Sequence, residues 1–348
     1  MDKGQLDRRG FLVEAAGTVL GVTAFGAALA GCSEGSNVGG TASPRTGGAP
    51  PPRGANPRAS GRGGTPASTT ESGQSGSGPA GTPSGTGLNI ALQNAAVPRG
   101  ELPSGWTNSM VAIGGGWMAW SNRDSAQQVL STPAEEVRRA LARHKPKLVE
   151  LRDAGITRFM PDLEGEVSPA KFHEHDPARV VDAMRRRYDA VREIVGDQSE
   201  IFAYLYATRW RAYEGGDLAP EQRTRHNACL ALAERGAFDG IDGLCAVCYP
   251  ARQETDRDWD AHVEFMRDSA KLLGEVVKAA SARPGVKTIE RHALVTHGVR
   301  APKGDRPLLS CDAYRQFTRA ATDAFGTGKV THWAGNWAEL KPFLERCG

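Results

Sequence analysis

The chain has 348 residues, with 43 Lys and Arg against 40 Asp and Glu and a formal net charge of +3. That balance, with no Lys/Arg-rich run, excludes a dedicated nucleic-acid binder, whose footprint is a clustered basic field. All seven Trp and all six Tyr lie beyond residue 87, so the capacity to build a core is confined to residues 88–348, enough for one large domain.

The first residues read M-D-K-G-Q-L-D-R-R-G-F-L-V, with Arg8 and Arg9 side by side ahead of Phe11 and Leu12. This string resembles the bacterial twin-arginine export signal, R-R-x-F-L. Residues 13–30 are mildly apolar, diluted by Gly17, Gly21 and Gly26, and they carry Glu14. A permanent membrane span needs about 20 strongly apolar residues, so the run fits a removable signal segment better. It ends Leu29-Ala30-Gly31-Cys32, which is similar to the bacterial lipobox. The resemblance implies a signal peptide over residues 1–31 and a diacylated Cys32 as the mature N-terminus. It further implies export, with a lipid anchor in the cell membrane on its periplasmic or cell-surface side, since several acyl chains together bind a bilayer firmly.

From residue 33 to 87 there is no Leu, Ile, Phe, Trp or Tyr. Such a Gly/Ser/Pro-rich segment cannot bury enough apolar surface to offset the entropy of ordering, and it reads as a disordered linker with an r.m.s. span of about 40 Å.

Beyond it, strand-like and helix-like stretches alternate. Residues 111–120 read as a strand entering a loop. A helix opens at Thr132-Pro133, with Glu135 and Glu136 in its first turn and Pro146 interrupting it, and it stops at Gly155. Residues 156–163 are a second strand, followed by a helix over Pro177–Val195 closed by Gly196. Residues 201–210 are a third strand, and residues 220–235 a helix closed by Gly236. Residues 240–247, 292–297 and 330–333 complete six strands, with helices over residues 259–282, Cys311–Phe325 and Trp337–Cys347. Strand then helix, repeated, predicts a parallel sheet. No G-x-G-x-x-G follows the first strand; Gly114-Gly115-Gly116 leads to Trp117 instead, which argues against a dinucleotide turn. Polar and aromatic residues gather after the strands, where a (β/α) barrel carries its site. The predicted fold is therefore α/β, a TIM-type (β/α) barrel, seven-stranded or otherwise irregular because only six units can be counted.

The second strand runs into Met160-Pro161-Asp162-Leu163-Glu164-Gly165-Glu166. Residues two apart in an extended segment share a face, so Asp162 and Glu164, with Glu166 beyond, line one side. Like charges held close split their pKa values, the requirement of an acid/base or acid/nucleophile pair in glycoside hydrolysis. The alternative is a solvated acidic loop. Phe238-Asp239-Gly240-Ile241-Asp242 then resembles the F-D-G-I-D start of the catalytic strand in chitinase-like barrels, and Tyr249-Pro250 is similar to the Y-P that follows that family's catalytic Glu. Leu244 and Ala246 stand where the family spacing D-x-x-D-x-D-x-E has its last Asp and Glu, and two extra residues precede Tyr249. The resemblance thus implies a sugar-hydrolase-like strand without the chitinase proton donor. The predicted carboxyl set is Asp162, Glu164 and Asp242.

Aromatic faces stack on sugar rings while amides, Arg and carboxylates bond the hydroxyls. On that chemistry the predicted binding residues are Trp117, Trp120, Tyr204, Tyr206, Arg209, Trp210, Asp239, Tyr249, His297, His332, Trp333, Asn336 and Trp337. Five cysteines lie in the domain, an odd number that cannot all pair. Cys245-Ala246-Val247-Cys248 allows a redox or metal reading with His292, His297 or His332, or else buried thiols or a disulfide to Cys229 or Cys311. His173-Glu174-His175-Asp176 reads as a loop before a helix. No metal or other cofactor is expected. Three functions compete: a surface-tethered glycoside hydrolase-like lipoprotein acting on a polysaccharide or glycan, a non-catalytic saccharide-binding lipoprotein, and a metal- or thiol-dependent exported enzyme. The expected partners are a carbohydrate and the membrane through Cys32, with no nucleic acid.

Overall fold

The computed structural model describes residues 88–121, 123–205, 212–250, 259–298 and 308–347. The expected signal, the expected lipidation at Cys32 and the expected linker fall outside the described residues, as do Tyr206, Arg209 and Trp210.

Seven parallel strands close into a barrel. They are β1 (Asn89–Gln93), β2 (Thr107–Gly114), β3 (Arg158–Asp162), β4 (Glu200–Leu205), β7 (Gly243–Val247), β8 (Glu290–Val295) and β9 (Val330–Ala334). They neighbour one another in that order, and β1 closes the ring on β9 through Asn89↔Thr331 to Leu92↔Ala334. β5 (Tyr213–Glu214) and β6 (Asp217–Leu218) form a separate antiparallel pair. The helices of the described residues are α1 (Ala126–Ser131), α2 (Ala134–Ala142), α3 (Lys145–Asp153), α4 (Pro177–Val195), α5 (Pro220–Glu234), α6 (Trp259–Ser281), α7 (Cys311–Phe325) and α8 (Trp337–Cys347). The barrel expected from sequence is present, and its seventh strand is β1, which the count of six units missed.

Local chemistry sets these boundaries. Asp176 accepts the Ala178 N–H at 3.0 Å and Pro177 occupies the first turn of α4, where its missing N–H costs nothing. Ser125 and Gln128 form a reciprocal capping box on α1. The helix expected to run to Gly155 is two, α2 and α3, parted at His144; Pro146 does not break a helix but sits in the first turn of α3.

The strands bury both faces. Side chains such as Ile90, Val111, Phe159, Ile201, Leu244 and Val295 pack outward under the helices, whereas Ala91, Met110, Ala112, Met160, Phe202, Tyr204, Cys245, Val247, Leu294 and Trp333 fill the interior. Alternation of period two makes that division. Gly243 is needed for it, since a Cβ there would overlap the Phe202 ring.

The end of the barrel where strands begin is closed by charges. Arg158 bonds Glu200 at 2.7 Å and lies 3.8 Å from Glu290, which also pairs with Lys329. His292 lies 3.1 Å from Glu290 and 2.5 Å from the Thr331 hydroxyl. Burial alone would raise the Glu290 carboxyl, but the bonds from His292 and Lys329 and the Arg158 charge outweigh it and hold the group at about 2. Burial keeps His292 below the usual histidine range.

Candidate functional site

The opposite end, where strands finish, carries the carboxylates. Asp162 ends β3 and pairs with Gly114 of β2. Leu163 turns into the helix-side core, so Glu164 comes back to the Asp162 side. There the Tyr204 hydroxyl donates to Glu164 Oε1 at 3.4 Å, from an interior position on β4. Asp162 is only 5% exposed, and its Oδ1 has no hydrogen-bond partner among the described residues. Burial pushes its carboxyl up to about 7. Glu164 is half-buried and accepts the Tyr204 hydroxyl. Two carboxyls of unequal environment thus occupy one face of one strand end.

Glycine clears the space beside them. A Cβ on Gly114 would meet the Asn94 and Gln93 amide nitrogens at 3.2 and 3.3 Å, so these two side chains from the end of β1 reach across to the residue paired with Asp162. Asn94 Oδ1 accepts the Gly114 N–H at 2.9 Å, which fixes that amide. A Cβ on Gly115 would strike the carbonyls of Trp120 and Asp162, so the turn after β2 lies directly on the end of β3. Across the barrel, the Tyr249 and Trp333 rings stack at 6.2 Å with 29° between planes.

Asp242 is not at this end. It precedes β7, which begins at Gly243 rather than at residue 240, and so it lies at the base. There it takes the Arg192 guanidinium at 2.6 Å, Lys287 at 3.5 Å and the Ile201 N–H at 2.8 Å. Asp239 bonds Arg283 at 3.0 Å in the turn before it. The expectation that Asp242 joins the carboxyl set and Asp239 the binding set is corrected: both are ion-paired structural groups. The chitinase-like register also fails, because Gly243, Cys245 and Val247 share a face that Leu244 and Ala246 do not.

Several aromatic expectations are corrected as well. Trp120 is 1% exposed; its indole N–H donates to the Glu164 carbonyl at 2.6 Å, and the Arg187 guanidinium lies 4.7 Å over its ring. Trp117 stacks on His144 at 4.1 Å and packs on the helix-side core. His332 faces outward from β9, taking the Tyr314 hydroxyl on Nδ1 and meeting His297 Nδ1 at 3.0 Å. Burial, with the His297 charge second, holds His332 well below the usual histidine range. His297 also lies against Phe343, 5.0 Å between rings. Asn336 caps α8 by accepting the Glu339 N–H at 2.9 Å, and the Trp337 N–H bonds Glu101 at 2.8 Å. Glu166 is exposed beside Lys171 at 3.1 Å. Of the predicted residues, Glu164 meets Tyr204, Tyr249 meets Trp333, and the three aromatic side chains belong to the barrel interior.

The cysteines are structural. Cys245 points inward and Cys248 outward, on opposite faces of one strand segment, so C-x-x-C is not a dithiol here. Burial pushes the Cys248 and Cys229 thiols up to about 12. Cys311 and Cys347 form a disulfide between the start of α7 and the end of α8, a pairing the sequence had left open. Among the described residues no group of three or more His, Cys, Asp or Glu could hold a metal ion.

Gln93, Asn94 and Arg187 were missed from the sequence. The first two close β1, whose N-I-A-L-Q alternation is five residues long and follows the Gly-rich linker directly.

No protein-family model matches the sequence, and no curated protein matches it. Among solved structures, bee venom hyaluronidase is similar with a TM-score of 0.47 at 11% identity, covering 74% of this chain and 95% of that one. A chitinase from Pseudoalteromonas aurantia is similar with a TM-score of 0.37 at 10% identity over 75% and 99%. The GH26 domain of an endo-beta-mannanase/endo-beta-glucanase from Prevotella bryantii is similar with a TM-score of 0.36 at 9% identity over 74% and 80%. These are similarities of chain course.

Proposed function

We propose that residues 88–348 form a glycoside hydrolase-like enzyme acting on a polysaccharide or glycan, with Asp162 and Glu164 as its carboxyl pair. The observation that carries the reading is Asp162, a buried carboxyl at the strand-end face, with an unpartnered oxygen and a proton held to about neutral pH. In this role Asp162 donates its proton to the glycosidic oxygen as that bond breaks. Glu164, bonded by Tyr204, attacks the sugar carbon or removes a proton from the attacking water. Tyr249, half-buried and backed by the buried Trp333 ring, offers an aromatic face to the sugar, and the Gln93 and Asn94 amides meet its hydroxyls.

Tethering through a lipid on Cys32 remains part of the proposal, with the linker as spacer. Incubating the protein with a broad glycan panel tests the chemistry. Asp162→Asn and Glu164→Gln should each fold, bind sugar and lose turnover by about 10²-fold or more. A wild type that cleaves nothing, or variants with full turnover, would refute the enzyme. Binding without cleavage would support the saccharide-binding lipoprotein.

A further inference from the structure

Arg187 is the least expected side chain of the domain. It lies on α4 with 0% exposure, and no carboxylate of the described residues is bonded to it. Its Nη1 donates to the Ala183 carbonyl at 2.8 Å, and its Nη2 donates to the carbonyls of Ala119 at 2.7 Å and Val129 at 3.3 Å. Nε has no partner among the described residues, and the plane covers the Trp120 ring at 4.7 Å. Burial lowers the guanidinium to about 9, with the Arg186 charge acting the same way and Asp124 and Glu136 opposing. It therefore stays charged at neutral pH. A buried cation met only by carbonyl dipoles and a π face is costly, and an apolar side chain of similar volume usually fills such a site at least as well for stability.

What the cation holds is the turn that touches the carboxylates. Ala119 has a left-handed backbone, φ +52°, unusual for a residue with a Cβ. Its carbonyl is the one Arg187 takes at 2.7 Å. The next residue, Trp120, bonds the Glu164 carbonyl at 2.6 Å, and its own carbonyl presses on Gly115, which lies against the Asp162 carbonyl. Two backbone points of the carboxylate segment thus rest on one turn, and the turn is fixed from behind by one guanidinium.

We propose that Arg187 is a positioning residue, acting through Ala119 and Trp120 to set the placement of Glu164 and the dryness of Asp162. This rests on the hydrolase reading of those carboxylates only for its kinetic consequence. Arg187 and Trp120 touch no substrate in this arrangement. Displacement of a reacting group by about 1 Å costs about 10²-fold in rate, so loosening the turn lowers kcat while Tyr249 and Trp333, held by the barrel interior, keep KM.

The test uses the full chain carrying Arg187→Met, which keeps length and apolar packing, and Trp120→Phe, which keeps the ring under the cation but deletes the N–H to Glu164. Each variant is assayed for kcat and KM on a glycan that the wild type cleaves. Each is also assayed for the titration midpoint of the Asp162 carboxyl by carbon NMR. The expected result for Arg187→Met is a kcat lower by about 10²-fold, a KM within about two-fold, and an Asp162 midpoint moved down toward the ordinary carboxylate range as water enters. Trp120→Phe should show the same pattern at smaller size. A kcat and midpoint unchanged in both variants, whatever the melting temperature, would overturn the proposal. If Arg187→Met does not fold, Trp120→Phe decides. If the wild type cleaves no glycan, the hydrolase reading fails and the carboxyl midpoint alone decides.

Discussion

Replacing Asp162 by Asn has an effect that can be worked from the fold. Burial raises this carboxyl from the ordinary aspartate value of 3.8 to about 7 in the folded domain, and the unfolded chain returns it to the ordinary value. Below about pH 4 both states hold the proton, and nothing is lost. As pH rises through the window to about 7, the unfolded state releases the proton while the folded state keeps it, so stability falls. A rise of about three units corresponds to about 4 kcal/mol, lost in full above the folded value. Asp162→Asn has no such slope; it carries instead a constant cost of about 1–3 kcal/mol for an unpaired buried N–H. The variant should be the less stable protein near pH 4 and the more stable one near pH 8, with the crossover inside the window. Urea unfolding of both proteins across that range, with equal m-values, measures it. A stability difference that does not move with pH, or that moves in favour of the wild type as pH rises, would refute a buried protonated carboxyl at the strand ends.

Three further outcomes are expected. Glu290, held at about 2 by His292, Lys329 and Arg158, contributes stability above its ordinary 4.5 that is lost as pH falls through the folded value; Glu290→Gln should cost about 3 kcal/mol at neutral pH and almost nothing near pH 2 in urea unfolding. Cys311 and Cys347 are 36 residues apart, so opening their bond by Cys311→Ser with Cys347→Ser should cost about 4 kcal/mol, read as a lower unfolding midpoint. Cys32→Ala should abolish palmitate labelling and membrane fractionation, and unchanged labelling would remove the lipoprotein reading.

The elements legible in the sequence were those with chemical punctuation at both ends. Pro177–Val195 lies between Asp176-Pro177 and Gly196, and its bounds coincide with α4. The other six strand units also announced a parallel barrel. What escaped was short or depended on distant chain. β1 is as long as β3, β7 and β9, but no helix of the described residues precedes it and its partners are β2 and, across the whole domain, β9. α1 has six residues, although the Ser125–Gln128 box announced it. That Glu164 returns to the side of Asp162 at the end of β3 could be read because period two is a local property. The position of Asp242 could not, because it depends on where the strand starts: β7 begins at Gly243, not at residue 240, and leaves Asp242 before the strand. Trp120 and Arg187 escaped for a related reason. An aromatic after a strand and an Arg on a helix look like rim and surface groups until the turn folds back between them.

The way β1 closes the ring also gives the domain a polarity. Leu88 enters β1 at Asn89, beside Thr107 and Thr331, at the charged base and one barrel length from Asp162. The preceding chain therefore joins the domain at the end remote from the carboxyls.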